Sequence, residues 1–234
     1  MKTCVIVTGG ECVDLSSFSS DGFLHEFEKD EILHSDFVIA CDGGGLRNAS
    51  HLGLKVDLLI GDIDTESGET LVLSGVGGTG FSSVPDISQV IKLPCEKDDT
   101  DTMSAARYCV EHGFSSVILL CPFGGRLDHS FANLQTMLFL KKSGLGVKAF
   151  GCDSVCTVLS EEIRLFPCRK NSSFSVFACG EKSCGISIHG AKYNLSEATI
   201  TNNFPIGISN EWQEDEISVA VGSEPLFIME CALI

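Results

Sequence analysis

Aspartates and glycines gather in four short segments between residues 42 and 129. Clustered carboxylates repel one another unless a hard divalent cation lies between them. Glycines let backbone N–H groups approach a phosphate closely. Together the segments predict a metal-assisted site for a polyphosphate ligand. They are Asp42-Gly43-Gly44-Gly45, Gly61-Asp62-Ile63-Asp64-Thr65, Lys97-Asp98-Asp99-Thr100-Asp101 and Gly124-Gly125-Arg126-Leu127-Asp128-His129.

Each segment also has a purely structural interpretation. Asp42 before three glycines fits a turn, and the pair Asp62 and Asp64 fits a solvated loop. Asp98 or Asp99 fits a helix cap, and Asp128 fits the positive end of a helix. For one segment alone the structural interpretation is favoured, because short motifs also match by chance. Four segments that each follow a predicted strand favour a functional site.

Short apolar runs predict the strands that position these segments. Continuous apolar runs are typical of strands covered on both faces. Helical patterns lie between them, at Thr102 to His112 before Gly113 and at Asp128 to Lys142 before Gly144. The alternation predicts a doubly wound, mainly parallel α/β sheet, in which ligands bind beyond the carboxyl ends of the strands. The predicted strands are Cys4 to Thr8, Phe37 to Cys41, Val56 to Ile60, Val90 to Leu93, Ser116 to Cys121 and Val147 to Phe150.

The pattern changes after about Gly151. Short apolar runs bounded by turn residues follow, with no long helical pattern, as is typical of an antiparallel β-sandwich or barrel. We therefore predict an α/β domain at residues 1–150 and an antiparallel β-sandwich domain at 151–234. Residues Ser67 to Ser88, rich in Gly and Ser, are predicted to form a long connection. The later runs are Val155 to Leu159, Phe174 to Ala178, Gly185 to His189, Ala198 to Thr201, Ile217 to Val221 and Leu226 to Met229.

Composition excludes several classes of protein. Sixteen basic against 32 acidic residues give a net charge of −16, which argues against a nucleic-acid-binding face. Any polyphosphate ligand must then arrive with a metal ion. No apolar run is long enough to span a bilayer, and the N-terminus does not fit a signal peptide. Twelve cysteines without a CxxC pair indicate reduced thiols in a cytoplasmic protein. No GxxxxGK[ST] motif is present, which excludes a Walker-type ATPase.

In order and surroundings, the four segments resemble those of the thiamine pyrophosphokinase family, also called thiamine diphosphokinase. The last segment leads into Asn133-Leu134, as in that family. The likeness extends to the family's Lys-aromatic-x-Leu and Ser-Asn-Glu-aromatic segments. The corresponding segments here are Gly190-Ala191-Lys192-Tyr193-Asn194-Leu195 and Ile208-Ser209-Asn210-Glu211-Trp212.

This resemblance implies transfer of the pyrophosphoryl group of ATP to the hydroxyl of thiamine, giving thiamine diphosphate and AMP. It implies Mg²⁺ as the cofactor and a homodimer whose C-terminal domain helps to form the thiamine site. No nucleic-acid or membrane partner is expected. The implied catalytic and metal-binding residues are Asp62, Asp64, Asp98 and Asp101. The implied ATP-binding residues are Asp42, Gly43, Gly44, Arg126, Asp128 and His129. The implied thiamine-binding residues are Tyr193, Ser209, Asn210 and Trp212.

Several of these roles have alternatives. Tyr193 and Trp212 suit the cationic thiazolium of thiamine, but they also suit packing in a β-core. Ser209 and Asn210 fit hydrogen bonds to the pyrimidine or a turn, and His129 fits a phosphate contact or a structural role. A catalytically silent thiamine- or nucleotide-binding regulator and a Mg²⁺-dependent phosphohydrolase are the competing functions. The complete set of aspartates favours an enzyme, and a hydrolase needs no aromatic acceptor site.

Overall fold

The computed structural model describes residues 2–20, 22–62, 64–66, 70–72, 87–94 and 98–233, with the backbone alone for 64–66 and 70–72. Most of the predicted connection from Ser67 to Ser88 lies outside this part, as do Ile63 and Lys97. The helices are α1 (Glu26–Leu33), α2 (Asp42–His51), α3 (Asp101–Glu111) and α4 (Leu127–Lys142), with a 3-10 turn at Leu15–Ser17. The strands are β1 (Thr3–Val7), β2 (Phe37–Cys41), β3 (Leu58–Gly61), β4 (Asp64–Glu66), β5 (Thr70–Val72), β6 (Gln89–Lys92), β7 (Ser116–Leu120), β8 (Gly146–Phe150), β9 (Ser154–Leu159), β10 (Glu162–Pro167), β11 (Ser172–Ala178), β12 (Lys182–His189), β13 (Leu195–Thr201), β14 (Glu216–Val221) and β15 (Leu226–Ala232).

The first half of the chain forms the predicted doubly wound sheet. Its strands are parallel in the order β8-β7-β1-β2-β3-β6. Helices α1 and α2 pack on the face that carries Val5 and Val38, and α3 and α4 pack on the face that carries Ile6 and Ile39. Because β2, β3 and β6 lie to one side of β1 while β7 and β8 lie to the other, strand order reverses between β1 and β7. Ligands of such sheets bind at this reversal.

The same sheet continues past residue 150 with antiparallel strands. Strand β9 pairs with β8, and β15 and β11 follow it outward. A second sheet, in the order β10-β14-β12-β13, packs against this extension around Phe174, Ile188 and Ile217. The predicted antiparallel sandwich is therefore confirmed, and one of its two layers is an extension of the α/β sheet.

The interpretation of residues 42–45 as a turn is wrong, because α2 begins at Asp42. A Cβ atom on Gly44 would lie 2.8 Å from Gly9 Cα, and one on Gly45 would lie 2.2 Å from Val7 O. The glycines thus allow α2 to pack directly on the end of β1. Glycine has poor helix propensity, so the sequence pattern hides this helix.

The other elements that were not predicted are α1, β4, β5, β10 and the 3-10 turn at Leu15–Ser17. Strand β10 is an edge strand that ends at Pro167 and leaves Ile163 and Leu165 exposed. The predicted ends of α3 and α4 are confirmed, because Gly113 and Gly144 follow them with φ of +69° and +87°. After residue 151, no helix occurs among the residues the structure describes.

A buried ion cluster joins the two halves of the chain. Arg169 donates from Nη2 to Glu28 Oε1 at 2.6 Å and from Nε to Glu230 Oε1 at 2.7 Å. Lys148 lies 3.2 Å from the same Glu28 oxygen. Burial raises the pKa of Glu28, but hydrogen bonds from Arg169 and the charge of Lys148 outweigh it and hold that pKa below its usual range. Arg169 thus connects α1 to β15 through buried ion pairs, and removal of one partner would leave a buried charge uncompensated.

Two further sequence predictions concern the whole chain. Every cysteine in the described part is a free thiol. None of the helices in that part combines the length and the apolar character needed to cross a membrane.

Candidate active site

A cleft of about 830 Å³ opens where the strand order reverses. Its walls come from the segments that follow β1, β2, β3 and β7 and from the start of α3. These segments meet because the carboxyl ends of parallel strands share one edge of the sheet. All four acid- and glycine-rich segments reach the cleft. They contribute, among others, Asp42, Asp62, Asp101 and Arg126.

Three carboxylates converge in this cleft, from Asp42, Asp62 and Asp101. One oxygen from each lies within 4.8 Å of the others. The three residues stand at the start of α2, just after β3 and at the start of α3. An oxygen-only donor set with this spacing fits a hard divalent cation such as Mg²⁺. We call these three residues the carboxylate group.

Backbone conformation brings two of these residues together. Asp42 has φ of +54°, in the left-handed region that non-glycine residues rarely adopt. A Cβ atom on Gly61 would lie 2.9 Å from Asp42 Cα, so only glycine permits this approach of β3 to α2. Strained backbone of this kind is common at functional sites.

Only some of the predicted catalytic aspartates lie in the carboxylate group. Asp62 and Asp101 belong to the carboxylate group, and Asp42, predicted beside the nucleotide, belongs to it too. Asp98 is exposed and lies outside both the group and the cleft wall. Asp64 lies on β4, and its side chain falls outside the described part.

The start of α3 orients Asp101. Thr100 caps the helix by accepting a hydrogen bond from Met103 N at 3.1 Å, so neither Asp98 nor Asp99 is the cap. Asp99 instead forms an ion pair with Arg107. Behind the carboxylates, burial raises the pKa of the Cys41 thiol and the charge of Asp101 raises it further. Cys41 therefore remains a neutral thiol in the cleft wall.

The turn after β1, residues Thr8 to Gly10, was missed by the sequence analysis. Gly10 N–H donates to Cys121 O at 3.0 Å, and Thr8 Oγ1 donates to the same oxygen at 2.5 Å. A Cβ atom on Gly10 would lie 2.3 Å from Cys121 O. Two glycines directly after the first predicted strand were a usable signal, because that strand ends at the same edge as the others.

Basic residues also line the cleft. Arg126, Arg47 and His129 line the cleft, and Arg126 is largely exposed. Asp128 accepts from Arg126 Nε at 3.1 Å and from Nη2 at 2.5 Å, and these hydrogen bonds lower the pKa of Asp128. Asp128 thus contacts Arg126 and does not line the cleft itself.

Glycines lie at two places around the cleft. Gly44 lines the cleft, whereas Gly43 is buried within α2. Gly124 and Gly125, with φ of +88° and +67°, form the turn that leads into α4. Below that turn the buried Asn133 donates from Nδ2 to Pro122 O at 2.7 Å.

The four predicted thiamine-side residues lie together in the sandwich, away from the cleft wall. Asn210 Oδ1 accepts from Tyr193 N at 3.0 Å, and its Nδ2 donates to Tyr193 O at 2.8 Å. Trp212 donates from Nε1 to Phe166 O at 3.2 Å. The structure therefore joins the two predicted segments, and Asn210 and Trp212 use their polar atoms on the backbone.

The remaining two residues are accessible. Tyr193 is 60% exposed. Ser209 has φ of +56°, and its N–H donates to Ser175 Oγ at 3.0 Å. Trp212, by contrast, packs edge-on against Phe174 with ring centroids 4.9 Å apart.

Two family models match the chain. A family model described as thiamin pyrophosphokinase, catalytic domain, matches residues 29–149. A second, described as thiamin pyrophosphokinase, vitamin B1 binding domain, matches residues 161–225. No curated protein sequence matches the chain.

Solved structures show the same fold at low sequence identity. Thiamine pyrophosphokinase from Bacillus subtilis has a TM-score of 0.75 and 18% identity, with 100% of both chains covered. The yeast thiamin pyrophosphokinase has a TM-score of 0.70 and 12% identity, covering 99% of this chain and 86% of its own. The Candida albicans thiamin pyrophosphokinase has a TM-score of 0.68 and 10% identity, covering 98% and 89%. Since the two family models together span most of its length, the chain belongs to the thiamin pyrophosphokinase family of enzymes.

Proposed function

We propose that this chain transfers the pyrophosphoryl group of ATP to the hydroxyl of thiamine in a Mg²⁺-dependent reaction that gives thiamine diphosphate and AMP. The observation that carries the proposal is the carboxylate group at the point where the strand order reverses, in a cleft that glycine turns and two arginines also line. Family membership supports thiamine as the acceptor.

The donor chemistry of the cleft fits Mg²⁺. Asp42, Asp62 and Asp101 would hold the ion, and by resemblance Asp64 and Asp98 join the catalytic carboxylates. Bound Mg²⁺ would neutralise phosphate charge and orient the phosphates. A protein of net charge −16 with several carboxylates in one cleft would otherwise repel ATP.

The chain's own residues position the reactants. The thiamine hydroxyl loses its proton as its oxygen attacks the β-phosphorus, and the bond between that phosphorus and the bridging oxygen breaks, so that this oxygen leaves with AMP. We assign phosphate binding to Arg126 and His129 and to the backbone at Gly44, with Gly43 beneath it. Asp128 holds the Arg126 guanidinium in a two-point hydrogen bond. Alignment and preorganised charge supply the catalysis in this kind of reaction.

Thiamine binding is assigned to the second half of the chain, through Tyr193, Ser209, Asn210 and Trp212. None of the four lines the cleft. We therefore propose a cytoplasmic homodimer in which the thiamine-binding and dimerisation domain, residues 151–234, helps to form the acceptor site. The nucleotide-binding and catalytic domain is residues 1–150.

A chromatographic product assay tests this function. The protein is incubated with ATP, Mg²⁺ and thiamine, and each is omitted in turn. We expect AMP and thiamine diphosphate in equal amounts, and only with all three present. Phosphate without thiamine diphosphate would indicate a phosphohydrolase. Binding of ATP or thiamine without turnover would indicate a regulator.

A further inference from the structure

Asn48, on α2, is bonded to the turn that follows β1. Its Nδ2 donates to Thr8 O at 2.8 Å and to Gly10 O at 3.0 Å. The side chain is half-buried and does not line the cleft. A single amide thus holds the two carbonyls on either side of Gly9.

The other side of this turn is held by the segment after β7. Thr8 N–H donates to Leu120 O and Gly10 N–H donates to Cys121 O, both at 3.0 Å. Gly9 itself is exposed and lines the cleft, and no described residue accepts a hydrogen bond from its backbone N–H. The turn is therefore fixed on both sides of a residue whose N–H remains available to an anion.

Helix α2 links this turn to the carboxylate group. Asp42 stands at its start, Gly44 packs against Gly9, and Asn48 follows less than two turns after Asp42. One helix therefore carries both Asp42 of the carboxylate group and the side chain that holds the turn at Gly9.

We propose that Asn48 is a positioning residue for the nucleotide, acting through the Thr8 to Gly10 turn. The inference rests on the proposed function, because it takes the phosphates of ATP to lie between Gly9 and the carboxylate group. Asn48 acts without touching the substrate, because its Nδ2 donates to the carbonyl oxygens of Thr8 and Gly10.

The test is Asn48→Leu, which keeps the size of the side chain and removes the donor. We expect the KM for ATP to rise about tenfold, as the loss of two hydrogen bonds predicts, with the KM for thiamine within about twofold of the wild type. Asn48→Ser restores one donor and is expected to fall between the two. The matched control is Gln135→Leu, the same amide-to-leucine change at an exposed position of α4, which should leave both constants unchanged.

Dissociation constants for Mg²⁺-ATP, measured by calorimetry without thiamine, separate this inference from the proposed function. If the wild type binds ATP without making thiamine diphosphate, weaker ATP binding by Asn48→Leu still supports the positioning role. If the wild type makes thiamine diphosphate and Asn48→Leu binds ATP as the wild type does, only the Asn48 inference fails. A loss of kcat that merely follows a lower melting temperature, with both KM values unchanged, would reduce Asn48 to a structural residue. A wild type that binds no ATP would overturn both.

Discussion

The cleft and the sandwich segments around Tyr193 and Asn210 differ in how they use their polar side chains. In the cleft, carboxylates from three separate elements converge on one another. In the sandwich, Asn210 and Trp212 use their side-chain polar atoms on neighbouring backbone. Carboxylates that lie close together repel one another, and a bound cation would relieve that repulsion. The polar atoms of Asn210 and Trp212 already have hydrogen-bond partners on the backbone.

The topology explains this difference. Parallel strands all end at one edge, so residues that follow different strands meet there even when they are far apart in sequence. Antiparallel strands alternate in direction, and a motif in one loop carries less information about its neighbours. The same kind of motif is therefore a stronger functional signal in the first half of the chain than in the second.

The largest expected effect comes from the carboxylate group. Asp62→Asn or Asp101→Asn should abolish detectable transfer, a loss of at least about a hundredfold in kcat, because either change removes a charge from the proposed Mg²⁺ site. The measurement is AMP and thiamine diphosphate formed per enzyme, with circular dichroism to verify the fold. Asp30→Asn, at an exposed position of α1, is the control that should keep full activity.

Asp98→Asn tests whether the observed carboxylate group or the family resemblance identifies the catalytic aspartates. Its carboxylate lies outside the group, so we expect a smaller loss than for Asp62→Asn. Full activity in Asp62→Asn would contradict the metal assignment. A loss in Asp98→Asn as large as in Asp62→Asn would show that the resemblance, and not the observed grouping, identifies the catalytic set.

The next effect tests whether the two regions fold as one unit. Arg169→Met leaves Glu28 and Glu230 buried without their cation and should destabilise the protein by about 3–5 kcal/mol. Chemical denaturation monitored by fluorescence and by circular dichroism should give one shared transition. Arg164→Met, which breaks the half-exposed pair with Glu162, should cost about 0–1 kcal/mol. Separate transitions for the two regions would show that they are independent.

A smaller effect distinguishes two aromatic residues of the sandwich. Tyr193→Ala should weaken thiamine binding about tenfold and leave ATP binding unchanged, because the exposed ring suits the thiazolium. Trp212→Phe should instead lower stability by about 1–2 kcal/mol, because Phe166 O loses its donor. Calorimetric titration with thiamine measures the first effect, and thermal melting measures the second. Unchanged thiamine affinity in Tyr193→Ala would assign that residue to structure alone.

The smallest effect concerns pH and His25, which lies next to the ion cluster. Its side chain is buried, and its Nε2 has no hydrogen-bond partner among the described residues. Burial, with the positive charge of Arg169, lowers the pKa of His25 below its ordinary value of 6.5. The unfolded chain therefore binds this proton first, and stability present above pH 6.5 is lost as pH falls below it.

Melting temperatures at about pH 7.5 and 5.5 measure this effect. We expect the melting temperature of His25→Gln to fall less between these two pH values than that of the wild type. An equal decline in both proteins would show that other groups cause it.

Local patterns in the sequence determined much of the α/β region. Apolar runs predicted strands such as β2 and β7 closely, and glycines at 113 and 144 correctly ended α3 and α4. These features depend on neighbours within a few residues, which periodicity and capping report directly. The same patterns, read with the rule that strand ends meet, also brought Asp62 and Asp101 to one edge.

Contacts between distant residues were decided only by the tertiary structure. Helix α2 exists despite three glycines because it packs on β1, with Gly44 against Gly9. The same packing places Asp42 among the carboxylates and Asn48 on the turn after β1. The extension of one sheet across residue 150 likewise depends on pairing between β8 and β9. A one-dimensional pattern records which residues are apolar, but not which of them touch, and close backbone approach depends on the latter.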